Sequence, residues 1–196
     1  MNDKIISRGR GRPRAFDRDV ALDRAQALFH AHGYEGVGVA ALADAMGVNP
    51  PSLYAAFGSK IDLYGEVLDR YSAASPLSGP LQMPGIETAR ALCDLLHMAA
   101  TVYSNDADAP GCMVLEGERS TDGEAACRAR GCRDASVRTL RDFIARTHAD
   151  RADVVADYVA TVMSGLSADA RGGHTPERLI AVADMASLAI GAMLNR

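Results

Sequence analysis

The 196-residue sequence predicts an all-α fold. Apolar residues recur three and four positions apart in the long segments, no stretch alternates convincingly at period two, and capping residues, Gly or Pro fall where the periodic runs start and stop. No internal repeat is evident. With 48% apolar residues the chain can bury a core, either as one domain or as a small domain attached to a larger one.

Residues 1–16, "MNDKIISRGRGRPRAF", are rich in Gly and Arg and lack periodicity, which predicts a flexible basic arm. Lys4, Arg8, Arg10, Arg12 and Arg14 against Asp3 alone make its charge +4; the chain's net −4 leaves −8 for the rest. Two readings of the arm stand side by side. It is an ordinary disordered terminus, or its Arg-Gly-Arg-Pro-Arg run lies in a narrow minor groove, where arginine is favoured electrostatically.

The first helix is expected from Asp17, as N-cap, to about His32, with Val20, Leu22, Ala25, Leu28 and Phe29 inward and Gly33 ending it. "VAALADAMG" reads as a second, short helix with Val39, Leu42, Ala43 and Met46 on one side. "NPPSLYAAFGSK" follows. Its two prolines are not breakers: Asn49 is a strong N-cap, and Pro50 and Pro51 occupy the first turn, where a missing N–H costs little. They start a third helix, Pro50 to about Phe57. Gly58 ends it and Ser59 caps a fourth, in which Ile61, Tyr64, Val67, Leu68 and Tyr71 keep helical spacing. "SPLSGPLQMPG" marks a junction, dividing a head at 17–74 from a body at 75–196. In the body, helices are expected near 86–104, 122–148 (with a break at Gly131 as an option), 153–170 and 176–194, plus a short one beginning at Cys112.

Helix, short helix, turn, short helix is the helix-turn-helix arrangement, whose second short helix enters the major groove. Leu53 and Phe57, four apart, face the core of the motif. Asn49, Ser52, Tyr54 and Ala55 are left outward, and Lys60 sits beside the N–H groups of a helix start, as a phosphate clamp would. Singly, a Tyr in a short helix is packing and a Lys is solvated; the combination is the specific signal.

These residues, above all "LFHAHGYEGVGVAALADAMGVNPPSLYAAFGSKIDLYGEVLDRY", resemble the DNA-binding domain of TetR-type transcriptional regulators. Over the rest of the chain the likeness lies in helical character, length and a "PGCMV" segment. The resemblance implies a homodimer with a variable C-terminal domain, released from a palindromic double-stranded operator by a small-molecule inducer. By position it implies phosphate contacts from Tyr54 and Lys60, with Pro51, Ser52 and Ala55 near bases and the arginine arm supplementing them. One departure stands out: such regulators usually carry Thr or Ser just before the second helix, and this chain has Val37 and Gly38. Operator affinity is therefore expected to lean on the arm and on Lys60.

In the body, Val155, Tyr158, Val159, Val162, Met163 and Leu166 form one stripe and Leu179, Val182, Ala183, Ala186, Ile190, Met193 and Leu194 another. Periodicity alone allows a private core; a four-helix dimer interface is the reading that the resemblance favours. The 86–104 helix is apolar over most of its circumference, as a pocket-lining helix would be, which nominates Leu92, Cys93, Leu96, His97, Ala100 and Tyr103, with core packing as the alternative for each. Cys112, after Pro110-Gly111, is a candidate sensor of oxidants or electrophiles, or a small buried hydrophobe.

Other classes find little support. No phosphate-binding glycine loop and no nucleophile–base–carboxylate set is present, so no enzyme is expected. Cys93 and His97 share a helix face but lack further ligands, so neither metal nor cofactor is implied. Four scattered cysteines without a CxxC pair suit a reducing compartment. No apolar run approaches the roughly 18 residues of a membrane span, and the N-terminus lacks a signal-peptide core, so a cytoplasmic protein is expected. An interaction module that has lost DNA binding is the remaining alternative, resting on Val37-Gly38 alone.

Overall fold

The computed structural model describes residues 17–194, so Arg8, Arg10, Arg12 and Arg14 lie outside the described residues. Those described form ten α-helices: α1 (Arg18–His32), α2 (Val39–Met46), α3 (Pro50–Phe57), α4 (Lys60–Ala74), α5 (Gly79–Gln82), α6 (Thr88–Ser104), α7 (Met113–Gly117), α8 (Gly123–Ala145), α9 (Ala152–Arg171) and α10 (Pro176–Leu194).

Local chemistry sets most of the boundaries. The Asp17 carboxylate accepts from the N–H groups of Asp19 and Val20 to start α1, and Asn49 accepts from Ser52 N–H at 2.8 Å to start α3 behind its two prolines. Ser59 and Asp62 form a reciprocal capping box at the head of α4. Gly47, in the left-handed region at φ 70°, ψ 32°, makes the turn between α2 and α3 that a side chain would strain. The Val37-Gly38 departure also has a packing explanation. Val37 is only 1% exposed and belongs to the core of the head, while Gly38 caps α2 without a side-chain bond.

In the body the structure adds three points to the sequence reading. The proline-rich junction contains short helical pieces: Pro76–Ser78 makes a 3-10 turn and Gly79–Gln82 a helical turn, with Pro76 and Pro80 in first-turn positions. Helix α6 starts two residues later than expected, where the Glu87 carboxylate accepts from Ala89 and Arg90 N–H. Helix α8 runs unbroken through Gly131, since a lone interior glycine costs about 1 kcal/mol and the rest of a 23-residue helix outweighs it.

Helices α1–α3 and the first half of α4 enclose Leu22, Phe29, Leu42, Leu53 and Leu63, all buried. Helix α4 then continues into the body and packs on α8, while α6, α9 and α10 pack on one another. One continuous apolar cluster joins head and body. Two glycines allow close approaches there. A Cβ at Gly111, already at φ 80°, would sit 2.9 Å from the Ser167 carbonyl oxygen; one at Gly117 would run into the Tyr64 hydroxyl. No helix among the described residues is long and apolar enough to cross a membrane.

Candidate nucleic-acid interface and ligand cavity

Helix α3 is held from below and open from above. Leu53 and Phe57 are buried, whereas Pro50, Pro51, Ser52, Tyr54 and Ala55 are exposed, Tyr54 by 48%. The Arg18 guanidinium stacks 4.7 Å over the Phe57 ring and is bidentate to Glu66, pinning α3 between α1 and α4. Arg24 donates to the Ala45 carbonyl at 2.6 Å and closes the C-terminal end of α2. Asn49 is exposed, but its side-chain oxygen is engaged as the cap, leaving only its amide donors for an outside partner. Lys60 lies with Nζ 4.0 Å over the Tyr34 ring. Partial burial there lowers its pKa, and the nearby Glu35 and Asp122 carboxylates oppose the shift. The start of α4 is capped by Ser59 and Asp62, and the Lys60 ammonium rests on the Tyr34 face instead of on that helix end.

Two side chains that the sequence did not single out tie the head to α8. Glu35, in the α1–α2 loop, accepts from Ser120 Oγ and Thr121 N–H, both at 2.6 Å, and from Thr121 Oγ1 and Asp122 N–H, both at 3.0 Å. The Ser120 hydroxyl foremost, with these N–H groups, holds its pKa down at about 2. Arg128 of α8 donates to Asp62 at 3.1 Å and to Glu124 at 3.2 Å. A third contact runs through α1: the His30 ring N–H donates to the Gly111 carbonyl at 3.2 Å, and Arg171 donates to the His30 carbonyl at 3.0 Å. Burial lowers the His30 pKa, so this donor is a neutral imidazole.

A cavity of about 620 Å³ opens among α4, α6, α7, α8 and α9. Leu68, Leu77, Leu95, Val114, Leu140 and Met163 supply much of its wall, with Arg128, Cys132 and Asp69 along one side. Of the residues nominated from sequence, Tyr103 and Cys112 line it; Leu92, Cys93, Leu96, His97 and Ala100 do not. Leu92, Leu96 and Ala100 are fully buried in the packed core. Cys93 and His97 turn toward α10, where Cys93 Sγ is 4.0 Å from the Ser187 carbonyl oxygen and His97 Nε2 is 2.7 Å from Asp184 Oδ1. Because α6 is apolar nearly all round, its pattern could not say which face meets the void. Cys112 is 8% exposed on the wall, its N–H donating to Ser167 Oγ at 2.9 Å. The Tyr71 and Tyr103 phenols lie near its thiol, and burial foremost raises the pKa of each phenol.

Of the residues nominated for a dimer interface, Val155, Val159, Leu166, Ala183, Ala186 and Ile190 are buried within the chain, and Tyr158, Val162, Met163 and Met193 are partly so. Val182 is exposed by 46%, and beside it Ile180, Met185 and Leu188 are exposed by 37%, 68% and 70%. Both sides of α10 are apolar: one packs on α6 and α9, and the other has no partner among the described residues.

The family profile described as "Bacterial regulatory proteins, tetR family" matches residues 21–67, which spans α2, α3 and parts of α1 and α4. The chain is 46% identical over 197 residues to the HTH-type transcriptional repressor BdcR of Escherichia coli, covering 100% of both chains. It is 33% identical over 192 residues to the repressor ComR of the same organism, covering 92% of this chain and 91% of that one. Among solved structures, a cysteine-substituted form of the TetR family transcriptional regulator CifR, complexed with a 26-base-pair operator duplex, superposes with a TM-score of 0.80 at 35% identity. That match covers 91% of this chain and 99% of the other.

Proposed function

Since this chain belongs to the TetR family of bacterial regulatory proteins, we propose that it is a dimeric transcriptional repressor that leaves a palindromic operator when a small molecule enters the body. The observation that carries this reading is α3 itself: a short helix locked by Leu53 and Phe57, with the exposed Ser52, Tyr54 and Ala55 aimed away from the protein. Its relatives BdcR and ComR are repressors, and the CifR structure holds operator DNA.

Helix α8 is the element that couples the two functions. It forms one wall of the cavity, and two carboxylates of the head hold its start: Glu35 binds residues 120–122 just before it, and Asp62 pairs with its Arg128. An inducer acts by binding the released arrangement more tightly than the operator-bound one. A ligand that displaces α8 changes the position of the head through those two grips. Dimerisation uses the outward apolar side of α10, at Ile180, Val182, Met185 and Leu188, since the inward stripe is already filled by the chain's own core.

A second reading of the trigger is favoured by Cys112: it lines the cavity together with Tyr71 and Tyr103, where an electrophile or oxidant that enters can reach the thiol. Cys112→Ser separates the two. A variant that still binds operator but no longer responds to oxidants supports the thiol trigger; an unaltered response removes it.

The repressor reading is tested by gel retardation on DNA upstream of the protein's own gene across a salt series. Sequence-specific retardation is expected, with an affinity that falls steeply with salt and a slope that shrinks when residues 1–14 are deleted. Equal affinity for unrelated DNA overturns it.

A further inference from the structure

We propose that the cavity takes an amphipathic organic cation, with Asp69 receiving the charged head and the apolar wall receiving the body. The proposal rests on the reading of this cavity as the inducer site. Three formally charged side chains line it: Arg128, Arg133 and Asp69. Both arginines are already matched. Arg128 serves Asp62 and Glu124, and Arg133 lies 3.4 Å from Glu118.

Asp69 has no cationic partner among the described residues. Its hydrogen-bond contact there is the Cys132 thiol, with the sulfur 3.9 Å from Oδ1, and a thiol is a weak donor for a carboxylate. Each arginine's charge is already met by carboxylates, so an anionic ligand would find no unmatched positive charge among the lining side chains. A cation completes a pair that the protein leaves open. The size and lining fit the same class. A volume of about 620 Å³ lies within the range of small-molecule sites, and Leu68, Leu77, Leu95 and Met163 offer apolar surface to a hydrocarbon body. Ser72, one turn beyond Asp69 on α4, also lines the cavity and adds a hydroxyl to the same wall.

The test uses three probes of one shape, decylamine, decanol and decanoate, titrated calorimetrically into the full-length protein at neutral pH. Decylamine is expected to bind about threefold more tightly than decanol, and decanoate more weakly than either, a modest preference because the Asp69 carboxylate is solvent-exposed. Asp69→Asn is expected to remove the advantage of the amine while leaving decanol unchanged, and Asp69→Glu to restore it. Decanoate binding as tightly as decylamine overturns the proposal, as does an amine preference that survives in Asp69→Asn. Failure of all three probes, decanol included, in a protein that still retards its operator would overturn the cavity as an inducer site altogether, a different result from a lost charge preference.

Discussion

The guanidinium of Arg128 lies flush against Gly65 while donating to the Asp62 carboxylate at 3.1 Å, so a residue of the cavity wall directly holds the first turn of α4. A Cβ at Gly65 would collide with that guanidinium, which is the mobile end of a long side chain. Gly65→Ala is therefore expected to fold, with a melting temperature within a few degrees of the parent, but with the Arg128–Asp62 bond broken. In an Arg128→Ala background the same change should have little further effect on operator affinity. A double-mutant cycle on operator binding checks this; strictly additive effects would show that the two residues act separately.

Glu35 makes a second prediction, in acid. Its folded pKa of about 2 lies below the ordinary 4.5, so its contribution is complete above about pH 4.5 and is lost as pH falls through about 2. The carboxylate is solvent-exposed, which limits the contribution to about 1 kcal/mol after screening. Urea melts of the parent and of Glu35→Gln should differ by a constant amount near neutrality and converge in acid. A gap that widens as pH falls would contradict the assignment.

His97 responds in the opposite direction. Nδ1 is 2.8 Å from the Cys93 carbonyl oxygen and Nε2 is 2.7 Å from Asp184 Oδ1, so both ring nitrogens face acceptors and the ring is most stable with two protons. Asp184, as hydrogen-bond acceptor, raises the pKa above 6.5, helped by the Cys93 carbonyl and by Asp94, whose own carboxylate is paired with Arg90, against the opposing effect of burial. The stabilisation is thus full below about pH 6.5 and is lost as pH rises through the folded value. Asp184→Asn should lose under about 1 kcal/mol in mild acid and nothing in alkali, because the pair is partly exposed. Histidine titration by NMR in the parent and in Asp184→Asn gives the direct comparison.

For the reading helix, two substitutions should separate folding from binding. Asn49→Ala removes the cap of α3 and is expected to cost about 1 kcal/mol of stability. Tyr54→Ala removes an exposed ring and should leave the thermal melt unchanged while operator affinity falls at least several-fold. An unaffected operator affinity in Tyr54→Ala would count against α3 as the contact surface.

The outward side of α10 is tested by charge. Leu188→Glu, at a position 70% exposed in the single chain, should convert a dimer to a folded monomer in sedimentation experiments. Ile190→Glu should instead unfold the body, since Ile190 is fully buried. A dimer that survives Leu188→Glu would move the interface elsewhere.

The sequence was most legible where structure is decided within a few residues. Asn49, Pro50, Gly47 and Ser59 act on neighbours in the chain, so the helix ends of the head could be read from them. Legibility failed where the deciding partner is distant or where two answers look alike. Nothing local marks Glu35, whose donors lie 85 to 87 positions away. On α10, Ala183, Ala186 and Ile190 face inward while Val182, Met185 and Leu188 face outward, yet both sets are apolar at helical spacing. The same ambiguity hid the cavity-facing side of α6.

The clasp of Glu35 on residues 120–122 has a consequence for protein engineering. Reading heads of related regulators invite grafting, with one protein's operator preference joined to another's chemical response. In this chain the seam of such a graft does not coincide with the covalent crossover near residue 75, because a carboxylate from the donor half serves three residues of the recipient half. A transplanted head lacking an acid at that loop position would leave the backbone N–H groups of Thr121 and Asp122 without this acceptor and remove one of the polar contacts between head and body. Such a hybrid would still be able to occupy its operator while answering its inducer poorly.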